Sequence, residues 1–417
     1  MGKTYSITSL SLLQINTTAN WGSTGKIAEQ IGERILDRGG KSYLAYGYYV
    51  NPSRSVLLRL GSKLSLKWHR RIARWFDRHG LLSRCTTRKL IKQIKQIKPD
   101  IIHLHNIHGD FINYPILFEY LQSVDTPVVW TLHDCWTFTG RCAHYIKSGC
   151  DKWKSGCYDC KYKKSYPKTH IDRSAQNYAL KRKYFTSLGD RLVIVPVSEW
   201  LAEEARQSFF ANSRIHRIYN GIDIATFVPC RESEIRSRLG IDPKQRIVLG
   251  VASAWSADKG IFDFYKLREQ LDQSYTIVLV GLNEKTIAEL PEGIVGIPRT
   301  NSVAELAELY SKASVFVNPT YADTFPTTNL EAMACGTPVI TYRTGGSPEP
   351  ITPNTGIVVE RAGDVKGLRD AIVDICDKGK AHYAEECRKR VLENFDKRMC
   401  FDKYIELYDE ILTNKNR

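Results

Sequence analysis

Short apolar runs rich in β-branched residues alternate along this chain with stretches in which apolar residues recur every three or four positions. The runs have the length of strands, and the periodic stretches have the pattern of amphipathic helices. Such alternation is typical of parallel α/β folds, in which a helix follows each strand and covers the sheet. In the first half, the runs predict strands at Ser11–Asn16, Ser42–Tyr46, Asp100–His105 and Pro127–His133. In the second half, they predict strands at Leu192–Val197, Ile215–Tyr219, Arg246–Ala252, Tyr275–Val280, Gly293–Ile297, Ser314–Val317, Pro338–Tyr342 and Gly356–Val359.

The periodic stretches predict helices that fit between these strands. They are Lys26–Arg38, Thr86–Ile97, Ala304–Ser311, Asn329–Ala334, Val365–Asp377 and Lys397–Leu412. A chain of 417 residues with 42% hydrophobic content is long enough for two α/β domains, each with its own core. We expect the first domain at 1–195, with a cysteine-rich insertion at 135–165, the second domain at 196–395, and a C-terminal helix at 396–417.

The net charge of +15 belongs to the first half of the chain. Residues 1–191 hold 32 Lys and Arg against 13 Asp and Glu, whereas residues 192–417 hold 28 against 32. The excess is greatest in residues 50–100, which hold 14 basic and 2 acidic side chains. A field of one sign attracts phosphate, so the partner could be a nucleic acid, an anionic lipid or a pyrophosphate-linked acceptor.

One predicted helix in this basic segment carries large apolar side chains on one face. They are Leu64, Trp68, Ile72, Trp75 and Phe76, and the basic residues around them are Lys67, Arg70, Arg71, Arg74 and Arg78. The pattern is typical of a helix that lies in a membrane interface. A helix packed on the core, with a solvated basic face, fits the same pattern.

The chain lacks the usual signals for insertion into a membrane. No apolar run reaches the roughly 20 residues that a membrane-spanning helix needs. Residues Met1–Ile7 lack the apolar core and cleavage site of a signal peptide. Together with the basic helix, this predicts a cytoplasmic protein that binds peripherally to the inner face of the cell membrane.

The most informative segment is Asn318–Ile340, which contains two carboxylates, Asp323 and Glu331. Asp323 is predicted in a loop that follows an apolar strand, and Glu331 in the helix that follows the loop. The start of a helix offers unpaired backbone N–H groups and a positive dipole end, which suit a phosphate. A carboxylate one turn further can accept hydrogen bonds from the two adjacent hydroxyls of a ribose, and Asp323 could do the same for a sugar.

Other loops after predicted strands carry polar residues that could contact a ligand. The turn Asn20–Lys26 contains two glycines and opens a helix, which allows close approach to a phosphate. His133 follows a strand and therefore lies at the carboxyl edge of the sheet, where α/β proteins bind ligands. His103 and His105 point to one face of a strand and could ligate a metal, although no third ligand with matching spacing is visible.

Five of the eleven cysteines lie in Cys135–Cys160. Cys157 and Cys160 have the spacing of a zinc knuckle, and Cys142 and Cys150 could complete a tetrahedral site. The stretch between them is polar and rich in lysine, so a structural zinc would stabilise its fold. Free thiols in a reducing cytosol, or a disulfide pair, are the alternatives.

These motifs together resemble those of the retaining GT-B glycosyltransferases of family 4. The family has two glutamates separated by seven residues where this chain has Asp323 and Glu331, and an Arg and a Lys where it has Ala254 and Lys259. Leu132–Trp136 and the cysteine block are similar to the subgroup that builds colanic acid and related capsular or O-antigen polysaccharides.

The resemblance implies two Rossmann-like domains facing a cleft, with a C-terminal helix that crosses back to the first, acceptor-side domain. It implies that Lys259 neutralises the departing diphosphate and that His133 contacts the donor sugar. Together with the helix start, it assigns the donor contacts to Gly22, Ser23, Thr24, Gly25, Asn220, Phe325, Pro326, Thr327, Thr328 and Asn329.

We therefore expect transfer of a sugar from a nucleotide-sugar to a lipid-pyrophosphate-linked saccharide in cell-surface polysaccharide synthesis. No Asp-x-Asp triplet occurs in the sequence, which favours leaving-group stabilisation by Lys259 and the helix start without a catalytic metal. A nucleotide-sugar epimerase or phosphorylase on the same fold remains an alternative. A basic nucleic-acid-binding protein is a further alternative, but it would have no need of Asp323 or Glu331.

Overall fold

A computed structural model describes residues 10–230 and 232–415 of the chain. Met1–Ile7, on which the expectation of no signal peptide depends, lie outside the described residues. The chain divides into two compact units. Unit 1 comprises Met1–Tyr219 and Cys400–Arg417, and unit 2 comprises Asn220–Met399.

Unit 1 is built on a seven-stranded parallel sheet with the order β3-β2-β1-β4-β5-β6-β7. Its strands are β1 (Ser11–Asn16), β2 (Lys41–Tyr46), β3 (Val56–Arg59), β4 (Ile101–Leu104), β5 (Val128–Leu132), β6 (Leu192–Pro196) and β7 (Arg214–Ile215). The order reverses between β1 and β4, and in such sheets ligands bind at the carboxyl ends of the strands beside this point. The register brings those ends level, because Ile15 lies opposite Leu104 and Leu104 lies opposite Trp130.

Helices cover this sheet. They are α1 (Gly22–Leu36), α2 (Lys63–Phe76), α3 (Arg84–Ile97), α4 (Tyr114–Gln122), α5 (Ser174–Phe185) and α6 (Glu199–Arg206). The C-terminal helix, Lys397–Lys415, buries Phe401, Tyr404 and Tyr408 in the same core as Leu12 and Val129 of the sheet. This packing places the end of the chain in unit 1.

Unit 2 repeats the arrangement with a six-stranded parallel sheet of order β10-β9-β8-β11-β12-β13. Its strands are β8 (Arg246–Val251), β9 (Tyr275–Val280), β10 (Ile294–Ile297), β11 (Val315–Asn318), β12 (Val339–Tyr342) and β13 (Gly356–Val359). Its helices are α7 (Ile235–Arg238), α8 (Ile261–Gln270), α9 (Glu284–Ala288), α10 (Val303–Lys312), α11 (Thr327–Ala334), α12 (Val365–Lys378) and α13 (Ala381–Asn394). The expectation of two parallel α/β domains of the Rossmann type is confirmed.

The unit boundaries differ from the expected 195 and 395. Unit 1 continues to Tyr219 because β7 still pairs with β6 in the first sheet. Unit 2 continues to Met399 because the start of the C-terminal helix bonds to the start of the unit, where Lys397 N–H donates to the Ile222 carbonyl. Within residues 10–230 and 232–415, no helix is both long enough and apolar enough to span a bilayer.

Candidate active site

Two of the expected site residues meet in unit 2. Lys259 follows β8 and donates to the Asp323 carboxylate, which follows β11, with 2.6 Å between Nζ and Oδ2. The two loops are held together by the Tyr321 N–H, which donates to the Asp258 carbonyl at 2.9 Å. Gly260 lies in the left-handed region with φ of 74°, and a Cβ there would approach the Pro319 carbonyl oxygen to 2.2 Å. Only glycine therefore allows this contact between the loops.

Glu331 lies in α11, beyond the same loop. The buried Tyr310 hydroxyl at the end of α10 donates to Glu331 Oε2 at 3.0 Å. The Glu331 side chain is half-buried. One oxygen is therefore oriented by the core, which prepares the carboxylate to accept hydrogen bonds from a ligand.

The residues around the start of α11 fall into two groups. Pro326 precedes the helix and provides no side-chain cap, so the first backbone N–H groups are suited to an anion. Phe325 is buried, and Asn329 is fully buried with its amide bonded to Asn318 and to Ser347. The Asn329 side chain therefore connects Asn318 and Ser347 within the protein. Partly exposed side chains able to contact a ligand remain at Thr327 and Thr328.

The glycine-containing turn of unit 1 forms the first turn of α1. Gly22 has φ of 66°, and a Cβ at the buried Gly25 would lie 2.6 Å from Thr18 Oγ1. Ser23 is exposed, while Thr24 Oγ1 accepts from the buried Asn16 amide at 3.3 Å. The turn is thus packed tightly on β1 and presents Ser23 to the outside. In unit 2, the expected donor residue Asn220 is buried at the beginning of the unit.

His133 follows β5 and lies in a cluster of buried polar groups. Its Nε2 is 3.1 Å from Nδ1 of His105, whose Nε2 is 3.0 Å from the Gln14 amide oxygen. Burial lowers the pKa of His133 to about 4, so the imidazole is neutral at pH 7. Gln14 and His105 are neighbours that we did not assign to the site from the sequence. The available signal was a glutamine between the apolar residues Leu13 and Ile15 of the predicted strand.

The neighbouring Asp134 is paired with a different histidine. His108 Nε2 lies 2.8 Å from Asp134 Oδ2, and both side chains are largely buried. Burial alone would raise the pKa of Asp134, but the charge and hydrogen bond of His108 hold it at about 2. Asp134 is therefore ionised at pH 7 and orients His108.

The four cysteines of the expected zinc site are half-buried free thiols. Cys157 Sγ accepts from the Gly140 N–H at 3.1 Å, and Cys160 Sγ accepts from the buried Arg141 at 3.4 Å. A hydrogen bond from Cys142 and the hydrogen bond and charge of Arg141 lower the pKa of Cys160. Across the described ranges 10–230 and 232–415, no group of three or more His, Cys, Asp or Glu side chains is arranged to hold a metal.

Two family models match the chain. The Glycosyltransferase Family 4 model matches residues 44–226, and the model of glycosyl transferases group 1 matches residues 245–378. These ranges cover much of unit 1 and the strands and most helices of unit 2.

Curated relatives cover about half of the chain. The colanic acid biosynthesis glycosyl transferase WcaC of Escherichia coli K12 is 28% identical over 256 residues, 56% of this chain and 61% of that protein. The N,N'-diacetylbacillosaminyl-diphospho-undecaprenol alpha-1,3-N-acetylgalactosaminyltransferase of Campylobacter jejuni is 26% identical over 46% of this chain and 54% of that protein. The chain thus spans less than two thirds of the length of these relatives.

Solved structures share the fold over nearly the whole chain. Sucrose-phosphate synthase from Thermosynechococcus elongatus has a TM-score of 0.72 at 18% identity and covers 97% of this chain and 100% of its own. Anabaena HepE in complex with UDP-glucose has a TM-score of 0.66 at 15% identity, and the match covers 96% of this chain and 99% of HepE. With two parallel Rossmann-like sheets, a Glycosyltransferase Family 4 domain at residues 44–226 and a group 1 domain at residues 245–378, the chain is a glycosyltransferase of the GT-B fold.

Proposed function

We propose that this protein transfers a sugar from a nucleotide-sugar to a lipid-pyrophosphate-linked saccharide, with retention of configuration at the transferred carbon. The observation that carries the proposal is the grouping of Lys259, Asp323 and the uncapped start of α11 at the carboxyl ends of β8 and β11. This group offers a cation, a carboxylate and backbone N–H groups, as a sugar diphosphate requires. Two similar proteins support the two substrate classes, because HepE is solved in complex with UDP-glucose and the Campylobacter enzyme is named for a diphospho-undecaprenol saccharide.

Each residue then has a distinct role in the reaction. Lys259 and the start of α11 stabilise the charge that develops on the diphosphate as the bond from the sugar carbon to the phosphate oxygen breaks. Glu331 binds the ribose, Asp323 orients sugar hydroxyls, and His133 contacts the sugar. The acceptor hydroxyl attacks on the face from which the diphosphate departs, and its proton passes to a diphosphate oxygen. Same-face displacement retains the configuration and needs no carboxylate nucleophile.

A donor panel tests this function. The full chain is incubated with nucleotide-sugars, with and without a bacterial lipid extract that contains lipid-linked saccharides, and release of nucleoside diphosphate is measured. We expect release that depends on the extract and on one donor. Isomerisation of the donor, or release of sugar without the extract, would replace the proposal with an epimerase or a phosphorylase.

We also propose that α2 docks on an anionic bilayer. Its buried side contains Leu66 and Ala73, whereas Leu64, Trp68 and Trp75 are 73%, 61% and 57% exposed. Core packing of the aromatic face, the alternative left open by the sequence, is therefore wrong for Trp68 and for most of Trp75, although Trp75 stacks on His170 at 4.2 Å. Exposed aromatic groups beside arginines suit the headgroup region of an anionic membrane.

Co-sedimentation with phosphatidylglycerol vesicles tests the docking. Binding should fall steeply as salt screens the basic side chains, and Trp68→Ala with Trp75→Ala should remove the binding that persists at high salt. Tyr158→Ala, which removes a 57% exposed aromatic group elsewhere in unit 1, is the matched control. Equal vesicle binding by the double variant and the control would refute the docking by α2.

For the cysteine-rich insertion, we propose one structural zinc held by Cys142, Cys150, Cys157 and Cys160. N–H groups already point at the sulfurs of Cys157 and Cys160, which is favourable for thiolates. Binding would draw the other two sulfurs to this pair. Elemental analysis of protein purified without chelator should give about one zinc per chain, lost in Cys157→Ser and kept in the exposed Cys85→Ser. Metal-free protein with four titratable thiols would refute this proposal.

A further inference from the structure

Two large aromatic side chains of unit 1 are exposed and stacked on each other. Trp21 follows β1 and Tyr49 follows β2, and their ring centroids are 4.5 Å apart with 29° between the ring planes. The stack covers one face of each ring, yet Trp21 is still 45% exposed and Tyr49 is 60% exposed. Single exposed aromatic residues are common, but two in contact form an apolar patch of the kind that marks binding sites.

Hydrogen bonds between the two loops hold this aromatic pair in place. The Ala19 N–H donates to the Tyr49 carbonyl at 3.0 Å, and the Ala19 carbonyl accepts from the Asn51 N–H at 3.1 Å. The Asn51 side-chain amide donates to the carbonyl of Asn20, the residue before Trp21, at 2.8 Å. Because the loops are already joined, a ligand that covers the rings would bind with little loss of backbone entropy.

The aromatic pair lies at the carboxyl edge of the first sheet. β1 and β2 are parallel neighbours with Asn16 opposite Tyr46, so the loops that follow them leave the sheet at the same edge. β1 also borders the point where the strand order reverses, and α/β proteins bind ligands beside such a point. The pair is therefore placed where unit 1 is expected to hold a ligand.

A cation lies next to the aromatic pair. Tyr48, which precedes Tyr49 in the chain, has the Arg70 guanidinium 4.5 Å from its ring centroid. Arg70 belongs to α2, the helix that we propose docks on an anionic bilayer. Arginine binds phosphate through paired N–H donors, so this side of the pair is complementary in charge to a diphosphate joined to a membrane lipid.

A sugar ring suits an exposed aromatic face. It has C–H groups on its faces and hydroxyls around its rim, so it can cover an aromatic ring while the hydroxyls bond to polar groups. The exposed Asn51, in the loop that carries Tyr49, provides such a polar group. The nucleotide, the other flat ligand of the reaction, is assigned above to Lys259 and Glu331 in unit 2.

We propose that Trp21 and Tyr49 form a stacking site for a sugar ring of the lipid-linked acceptor. This inference rests on the proposed function for the identity of the ligand. It makes the aromatic pair a determinant of acceptor specificity that takes no part in binding the donor.

A kinetic test uses the donor that the panel selects and increasing amounts of the same bacterial lipid extract. In Trp21→Ala with Tyr49→Ala, the amount of extract that gives half-maximal release of nucleoside diphosphate should rise about tenfold, because the sugar ring loses the apolar surface that it covered. Trp21→Phe alone keeps a flat aromatic face and should stay within about threefold of the unaltered chain. Affinity for UDP, measured by calorimetry, should be unchanged in all variants.

Tyr158→Ala is the matched control, because it removes an exposed aromatic ring from the cysteine-rich insertion of the same unit. It should leave the requirement for extract unchanged. An equal rise in this control and in the double variant would reduce the effect to a general loss of exposed aromatic surface and overturn the inference.

A binding test needs no sugar transfer. Saccharide released from the extract by mild acid is added to the full chain, and the indole N–H resonances are followed by 1H–15N NMR. The resonance that is missing in Trp21→Phe belongs to Trp21, and it should shift as the saccharide is added. A Trp21 resonance that does not move would overturn the inference.

The remaining outcomes separate this inference from the proposed function. An unchanged requirement for extract in the folded double variant overturns the stacking site, while transfer by the unaltered chain still supports the function. Weaker UDP binding would place the pair at the donor, and weaker binding to saccharide-free phosphatidylglycerol vesicles would make it a membrane contact, and either result overturns the inference. If the Trp21 resonance shifts with the saccharide but no nucleotide-sugar is turned over, the proposed function has failed while the stacking site stands.

Discussion

Replacing Lys259 by methionine separates ligand binding from stability at the candidate donor site. The ammonium group bonds to Asp323 at 2.6 Å, and the two side chains are 38% and 17% exposed. Methionine keeps most of the side-chain volume and removes the charge. The change therefore tests whether the cation serves a diphosphate or only its carboxylate partner.

The two effects have different expected magnitudes. A partly exposed ion pair contributes about 0–1 kcal/mol to folding, so the free energy of unfolding should change little. A charge-assisted hydrogen bond to phosphate contributes about 1.5–3 kcal/mol, equivalent to roughly 10–150-fold in Kd.

Asp323→Asn should act differently, because it frees Lys259 from its carboxylate partner. Nucleotide affinity should stay the same or increase, while turnover falls.

Calorimetric titration with UDP measures the first effect, and urea denaturation measures the second. Lys397→Met is the matched control, because Lys397 pairs with Asp223 at 2.7 Å in the same unit, with 28% and 32% exposure. UDP affinity should fall in Lys259→Met and remain unchanged in Lys397→Met. Equal affinities in the two variants would refute the role of Lys259.

Three further predictions concern other parts of the structure. Glu331→Gln should weaken UDP binding by about 1.5–3 kcal/mol, since it removes a charged acceptor for the ribose. Tyr310→Phe should weaken UDP binding less, and calorimetry compares the UDP affinities of the two variants. The free energy of unfolding should fall as pH drops from about 6.5 to about 4, and urea denaturation at several pH values measures this. The reason is that burial lowers the pKa of His103, His105 and His133 in the folded protein, so the unfolded chain binds more protons in this pH range. Gly25→Ala should lower the free energy of unfolding by about 1–3 kcal/mol, because the added Cβ would contact Thr18 Oγ1. Gly156→Ala should lower it far less in the same assay, because a Cβ at Gly156 would have no heavy atom of a non-neighbouring residue within 4 Å.

Much of the sheet architecture could be predicted because buried parallel strands are nearly continuous apolar runs. Tyr275–Val280 was predicted with the bounds that it has in the structure. The strand Val56–Arg59 was missed although three of its four residues are apolar, since it is short and lies at the edge of the sheet with both end residues exposed. The strand expected at Ile215–Tyr219 is reduced to Arg214–Ile215, and the missed helices include the polar α13.

The site could be predicted only as far as local motifs reach. The sequence placed Lys259 and Asp323 in loops after two strands, and adjacent positions of those strands in the sheet bring the side chains together. It could not show that the Asn329 side chain is buried and bonded to Asn318 and Ser347, because these partners are distant in sequence. The hydrogen bonds of Gln14, His105 and His133 were missed for the same reason, since they join three separate strands.

The most direct test of the account is the configuration of the glycosidic bond in the product. The donor selected by the panel, with an α-linked sugar, is incubated with the full chain and the lipid-linked acceptor, and the anomeric proton of the product is observed by NMR. Same-face displacement, with Lys259 on the leaving diphosphate, predicts an α-linked product. A β-linked product, or a donor consumed without any transfer to the acceptor, would contradict the account.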